Sequence, residues 1–209
     1  MFHPSLPLDF DYPRSWSIQP VCQAKNDCVN HTTNTSKMAC ALMADMYDAD
    51  SATTNLTLAN LAFWKKNATL SSRPFFLASG FQGPRLPWSY PIAVAKRYPA
   101  ASDINITQHP DSPKDISLDL EWFRPTEIDW YTDVIQSGGV THASPLAAAM
   151  QQRVRRAYLT AISHVDDQIG RLLAGLGTFG VENDTAVVLT ADHGQVWLPC
   201  VVAADCVCR

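Results

Sequence analysis

The feature that most constrains the fold is a long helical stripe that ends in glycines and runs into a short β-branched strand. From Pro145 to Leu176, Ala157, Ala161, Val165, Ile169 and Leu172 recur at helical spacing, with Arg153, Arg156, Asp167 and Arg171 mostly off that stripe. Gly175, Gly177 and Gly180 end it. Thr185-Ala186-Val187-Val188-Leu189 then reads as a buried strand that delivers Thr190-Ala191-Asp192-His193-Gly194 to its carboxyl end. An earlier run, Pro74-Phe75-Phe76-Leu77-Ala78-Ser79, reads as a second buried strand, closed by Gly80. Strand, helix and strand in this order predict a parallel α/β sheet. Ligands gather at the carboxyl ends of such strands. That position singles out Asp192 and His193, a carboxylate and an imidazole able to hold a hard divalent cation or to place a proton. As a bare tripeptide, Asp-His-Gly is more simply a polar turn closing a strand; the upstream residues alter that weighting.

The rest of the chain divides around these elements. Residues 1–56 read as loop-rich, with Pro4, Pro7, Pro13 and Pro20 among many Asn, Thr and Ser. Residues 57–70 fit a short amphipathic helix on Leu58, Leu61, Ala62 and Trp64. Residues 81–144 read as a long irregular region, of the kind that forms lids or binding walls. A chain of 209 residues, 46% hydrophobic, can bury the core of one compact domain. The formal charge is −4 and no basic cluster stands out, which argues against nucleic acid and anionic membrane as partners. Arg153, Arg155 and Arg156 read as the solvated face of the long helix. No apolar run approaches the ~18 to 20 residues of a membrane span.

The compartment is legible in the sequons. Asn30, Asn34, Asn55, Asn67, Asn105 and Asn183 each precede an acceptor Ser or Thr two residues on, with no Pro between. Six in this length predicts a secreted or lysosomal glycoprotein with these sites on exposed loops. Cys22, Cys28 and Cys40 fall in the same stretch, which suits an oxidising compartment. The favoured bridge is Cys28 to Cys40, with Cys22 as the alternative partner. Zinc is the competing reading, but no Cys-x-x-Cys occurs. Met1-Phe2-His3-Pro4 begins no signal peptide, so Met1 reads as an internal start within a longer protein.

Tyr158 through Gly194 resembles the corresponding stretch of the sulfatases, and among them the iduronate 2-sulfatase-like branch. The resemblance is carried by Tyr158, Val165-Asp166, Gln168-Ile169-Gly170-Arg171-Leu172-Leu173, Asn183-Asp184-Thr185 and Thr190-Ala191-Asp192-His193-Gly194. Pro74-Phe75-Phe76-Leu77-Ala78, Gly80-Phe81, Pro84-x-x-Pro87, Tyr90-Pro91 and Tyr98-Pro99 resemble the family's Pro-Phe-Phe-Leu strand and the loop after it. Phe2-His3-Pro4 and Ser15-Trp16-Ser17 resemble an upstream turn of that branch.

The resemblance implies a sulfuric ester hydrolase with an alkaline-phosphatase-like, three-layer α/β fold, incomplete in this chain. It divides the chain into a partial catalytic domain, 1–194, and a divergent tail, 195–209. It implies one calcium ion that polarises the sulfate, a formylglycine nucleophile made from cysteine, and a sulfated sugar or glycosaminoglycan-like substrate. Asp192 and His193 map to positions at the metal; Gln82 and Arg85 map to the substrate. His193 is the less typical calcium ligand and suits a hydrogen bond to the sulfate or the nucleophile.

The departures are specific. None of Cys22, Cys28, Cys40, Cys200, Cys206 or Cys208 lies in Cys-x-Pro/Ser-x-Arg, so no catalytic nucleophile is assigned. That motif and the paired aspartates of the first strand are expected upstream of Met1. Where the iduronate branch has His-x-Pro-His, this chain has Gln82-Gly83-Pro84-Arg85: Gln82 cannot titrate, and Arg85 pairs with sulfate but is a poor general acid. After Gly194 the family's basic active-site residue gives way to Gln195-Val196-Trp197-Leu198-Pro199-Cys200 and a cysteine-rich end. Gln-Val is what a read-through splice donor encodes, and the tail is expected to be foreign to the fold. Two further readings follow: another metal-dependent phosphoester hydrolase of the alkaline phosphatase superfamily, or a non-catalytic secreted glycoprotein on a degenerate sulfatase scaffold, which Gln82 and Arg85 slightly favour since their replacement of the histidines fits a different substrate or lost activity.

Overall fold

The computed structural model describes residues 29–30, 35–106, 131–137 and 147–191. The elements, in chain order, are β1 (Val29–Asn30), β2 (Thr35–Ser36), β3 (Ala39–Leu42), α1 (Ala49–Lys66), α2 (Ala68–Ser71), β4 (Trp88–Pro91), α3 (Ile92–Ala95), α4 (Thr132–Gln136) and α5 (Ala148–Thr178). Single 3-10 turns lie at Ala101–Asp103 and Glu182–Asp184. β1 and β2 pair antiparallel. β3 and β4 pair parallel, with Ala39 opposite Trp88 and Leu42 opposite Pro91. The parallel pair, joined through a helix, gives the α/β class that the sequence predicts, but from strands other than the two expected.

α5 is the spine of the fold. Met150, Val154, Ala157 and Ala161 recur every three or four residues and are buried against Ala39, Trp88, Tyr90, Ala95 and Val134. The small side chains of Ala157 and Ala161 let the helix lie close to Trp88 and Tyr90. Tyr158 meets Trp88 edge-on at 5.6 Å between ring centroids. Past Ala161 the buried side chains are His164 and Gln168. Val165, Ile169 and Leu172, expected to carry the stripe onward, are only half-buried. Here α5 faces the polar start of α1, which requires partners for charge. α5 stops where the Phe179 amide returns to the Gly175 carbonyl and Gly180 adopts φ 64°.

α1 begins eight residues before the helix expected at 57–70 and lies partly inside the region read as loop. Asp48 caps it, accepting from the Asp50 and Ser51 amides at 3.2 and 3.4 Å and from the Ser51 hydroxyl at 2.6 Å. Asn67 ends α1 and its side chain caps α2 through the Thr69 and Leu70 amides. α1 and α5 run parallel: Asp48 meets His164, Asn55 meets Arg171, and a Cβ on Gly175 would overlap Leu58.

The arginines of α5 are only in part a solvated face: Arg153 is exposed, but all three reach partners on the loops and β3 side. Arg156 donates to the Pro99 and Ala95 carbonyls at 2.6 Å each. Arg155 donates to the Asn105 carbonyl at 2.9 Å, and Arg153 lies 3.6 Å from the Asp133 carboxylate. Buried Asp133 in turn accepts the Met38 and Ala39 amides at 2.9 and 3.2 Å, fixing the start of β3. Long-range contacts of this kind turn part of the irregular region, 81–144, into ordered structure.

Two expected strands are absent. Pro74–Ser79 and Thr185–Leu189 are in extended or irregular backbone and form no ladder among the described residues. Phe76 is 82% exposed, Val188 85% and Leu189 76%. The side chains are those of buried strands, but a strand requires a neighbouring strand, and neither segment joins a sheet among the described residues. The tail at 195–209 lies outside the described residues, as do Asn34 and Cys28.

Candidate functional site

The stretch from Phe75 to Gly83 is laid antiparallel along the whole of α1. Phe75 packs on Trp64 at 4.6 Å between ring centroids. Ser79 Oγ is 3.0 Å from Thr57 Oγ1. At the start of α1, the Asp50 carboxylate accepts the Gln82 amide at 2.7 Å and the Gly83 amide at 3.1 Å. The chain then turns, with the Arg85 amide bonded to the Gln82 carbonyl at 3.0 Å, and enters β4. The Gly83-Pro84 and Leu86-Pro87 bonds are cis. The side chains of Gln82 and Arg85 are exposed at this turn, and among the described residues no ion pair reaches Arg85. The turn therefore offers a guanidinium and an amide to solvent, a combination suited to an oxyanion.

Beneath it lies a polar cluster with little signature in the local sequence. Asp50 is 3% exposed. His164 is also buried, with Nε2 2.8 Å from Asp48 Oδ2; the ring sits beside the carboxylate more than pointing its N–H down the contact. Gln168 Oε1 accepts from Arg171 at 2.6 Å, which turns its NH2 toward His164 Nδ1 at 3.5 Å. That arrangement makes Nδ1 the acceptor and leaves Nε2 beside the Asp48 carboxylate. Arg171 continues the chain to Asn55 Oδ1 at 2.5 Å. Burial works against ionisation of Asp48, but His164 and Ser51 outweigh it and hold that carboxyl below the ordinary value of 3.8. Asp50 is the reverse: burial pushes its carboxyl up, and the Gln82 and Gly83 amides offset this only in part. The only local signal was Asp48 itself, an N-cap with an acid two residues on.

The sequence-derived site residues are distributed unevenly. Gln82 and Arg85 lie together on the turn. Asp192 and His193 lie outside the described residues, immediately after Ala191. Among the described residues no group of three or more His, Cys, Asp and Glu is arranged to hold a metal. Asp48 and Asp50 are already committed to backbone amides and His164, so they do not fit that role. Cys40 is disulfide-bonded, its partner outside the described residues. Asn55, Asn105 and Asn183 are exposed, and Asn55 lies on α1 with its amide oxygen held by Arg171.

Comparison with known proteins places this geometry. The Sulfatase family model matches residues 8–199. The iduronate 2-sulfatases of Mus musculus and Homo sapiens are each 29% identical, over 205 and 207 residues, covering 93% of this chain and 36% of theirs. The multifunctional alkaline phosphatase superfamily protein PehA of Trinickia caryophylli is 27% identical over 128 residues, 59% of this chain and 24% of its own. This chain thus spans about a third of the length of the iduronate 2-sulfatases it matches. The chain belongs to the sulfatase family, whose alkaline-phosphatase-like α/β fold is represented in part by its parallel strand pair and covering helices.

Proposed function

We propose that this chain supplies part of the active site of a sulfuric ester hydrolase acting on sulfated sugars or glycosaminoglycan-like substrates, in the manner of iduronate 2-sulfatase. The observation that carries this reading is the match over nearly the whole chain, with Gln82 and Arg85 exposed together on one turn. Arg85 and Gln82 bind the sulfate. Asp192 and His193 would hold one calcium ion, which would supply charge neutralisation of the ester. Asp192 would be the hard oxygen ligand, and His193 would hold a proton toward the sulfate or the nucleophile.

In the full-length protein, release of inorganic sulfate from an aryl sulfate or a sulfated disaccharide is expected, with loss on chelation of calcium. Absence of sulfate release would overturn the reading. Residues 1–209 alone are expected to be inactive, because no cysteine has the Cys-x-Pro/Ser-x-Arg context and removing a nucleophile costs many orders of magnitude. The likeness to PehA supports a second reading, a phosphoester hydrolase of the same superfamily; phosphate release from an aryl phosphate in place of sulfate release would select it.

A lysosomal or secreted location follows from the six sequons and is supported by the disulfide at Cys40, for which Cys28 is the proposed partner. Asn105 and Asn183 are expected to carry glycans. Asn55 is expected to be unmodified, because it sits within a helix against Arg171 and its acceptor Thr57 is buried. Peptide mapping after glycosidase treatment of secreted protein checks this; unmodified Asn105 and Asn183 would contradict the compartment.

A further inference from the structure

We propose that Asp50 is a positioning residue for the anion-binding turn: it fixes Gln82 and Gly83 so that Arg85 is presented to the substrate sulfate. The proposal rests on the sulfatase reading of Gln82 and Arg85 and names the group that orients them. The turn has no regular ladder of its own before β4, and its two leading amides both end on one carboxylate, at 2.7 and 3.1 Å. That carboxylate comes from the first turn of α1, 32 residues earlier, and is almost completely shielded from water. A buried carboxylate that accepts two main-chain amides holds them more tightly than a neutral acceptor. It also leaves the backbone little freedom to rotate Arg85 away.

The fit is tight from the other side as well. A Cβ at Gly83 would stand 2.9 Å from Asp50 Oδ2 and 2.7 Å from Val165 Cγ2. Any larger residue at position 83 would push Val165 or the Asp50 carboxylate aside. Asp50 is itself held: its amide donates to Asp48 Oδ1 at 3.2 Å, its carbonyl accepts the Thr54 hydroxyl at 3.1 Å, and Asp48 is tied to His164 on α5. The orientation of the turn is thus set by both helices. Asn at position 50 would keep one amide on its oxygen and turn an NH2 against the other, removing one bond and opposing two donors.

The test uses the full-length protein, with inorganic sulfate as probe in titration calorimetry and site-resolved amide hydrogen exchange. Asp50→Asn is expected to accelerate exchange at Gln82 and Gly83 and to weaken sulfate roughly tenfold, the effect of losing one charge-assisted contact. Arg85→Ala is expected to weaken sulfate by a similar or larger factor without accelerating exchange. The double variant should be no weaker than Arg85→Ala. Gly83→Ala, which attacks the same contact from the turn, should reproduce Asp50→Asn and serves if that variant does not fold. Unchanged exchange in Asp50→Asn or Gly83→Ala would overturn the clamp. Accelerated exchange with full sulfate affinity, beside a weakened Arg85→Ala, would overturn the positioning role. No binding by the wild type, or full affinity in Arg85→Ala, would take down the underlying sulfatase reading of the turn, and the proposal with it.

Discussion

The face of α5 that covers β3 and β4, and the two apolar segments 74–79 and 185–189, are built from similar residues and reach opposite ends. The first buries Met150, Val154, Ala157 and Ala161 against Trp88 and Tyr90. The second leaves Phe76, Val188 and Leu189 in solvent. A helix satisfies its backbone internally and needs only one face covered. A strand must borrow hydrogen bonds from a neighbour, so its hydrophobicity takes effect only when that neighbour is present. Exposed apolar side chains of this kind also invite association with other chains.

The comparison can be broken by substitution. Met150→Ala removes a fully packed side chain and should cost about 2–5 kcal/mol of unfolding free energy, read by chemical denaturation. A loss under 0.5 kcal/mol would mean the α5 face is not the core. Asp48→Ala should cost about 1 kcal/mol at neutral pH through the lost cap alone. Because the folded carboxyl of Asp48 titrates below its ordinary value, its contribution is complete above the ordinary range and is lost as pH falls through the lowered value. The stability gap between wild type and Asp48→Ala should therefore close in strong acid; a gap that persists there would contradict the charge-based account. Val188→Asp should change the stability of residues 1–209 by less than about 0.5 kcal/mol, since the side chain is exposed. It should also lower aggregation. In the full-length protein the same substitution should destabilise measurably. Equal, negligible effects in both would show that segment 185–189 is a surface strand-former with no partner anywhere.

The same physics explains what the sequence disclosed. The body of α5 was legible because Ala157 and Ala161 mark a 3.6-residue period that needs no distant information. Its continuation was not, because the buried positions there are His164 and Gln168, polar residues whose burial depends on Asp48 in another helix. The beginning of α1 was hidden by Thr53, Thr54, Asn55 and Thr57, poor helix formers retained by tertiary packing. β4 was hidden by Pro84, Pro87 and Pro91 around four residues. In the candidate site, the turn with Gln82 and Arg85 could be located because it follows the Phe-Phe-Leu run. Its anchor could not, because nothing in the sequence links Asp50 to an amide 32 residues away.

The measurement that tests the account most directly is calcium affinity in the full-length protein, by titration calorimetry, for wild type, Asp192→Asn and Asp166→Asn. Asp166 is an exposed helical carboxylate and serves as the charge-matched control. The account predicts that Asp192→Asn loses at least tenfold in affinity, consistent with removal of a charged oxygen ligand, while Asp166→Asn binds as wild type does. Equal affinity in wild type and Asp192→Asn would contradict the assignment of Asp192 to the metal and, with it, the sulfatase site proposed for this chain.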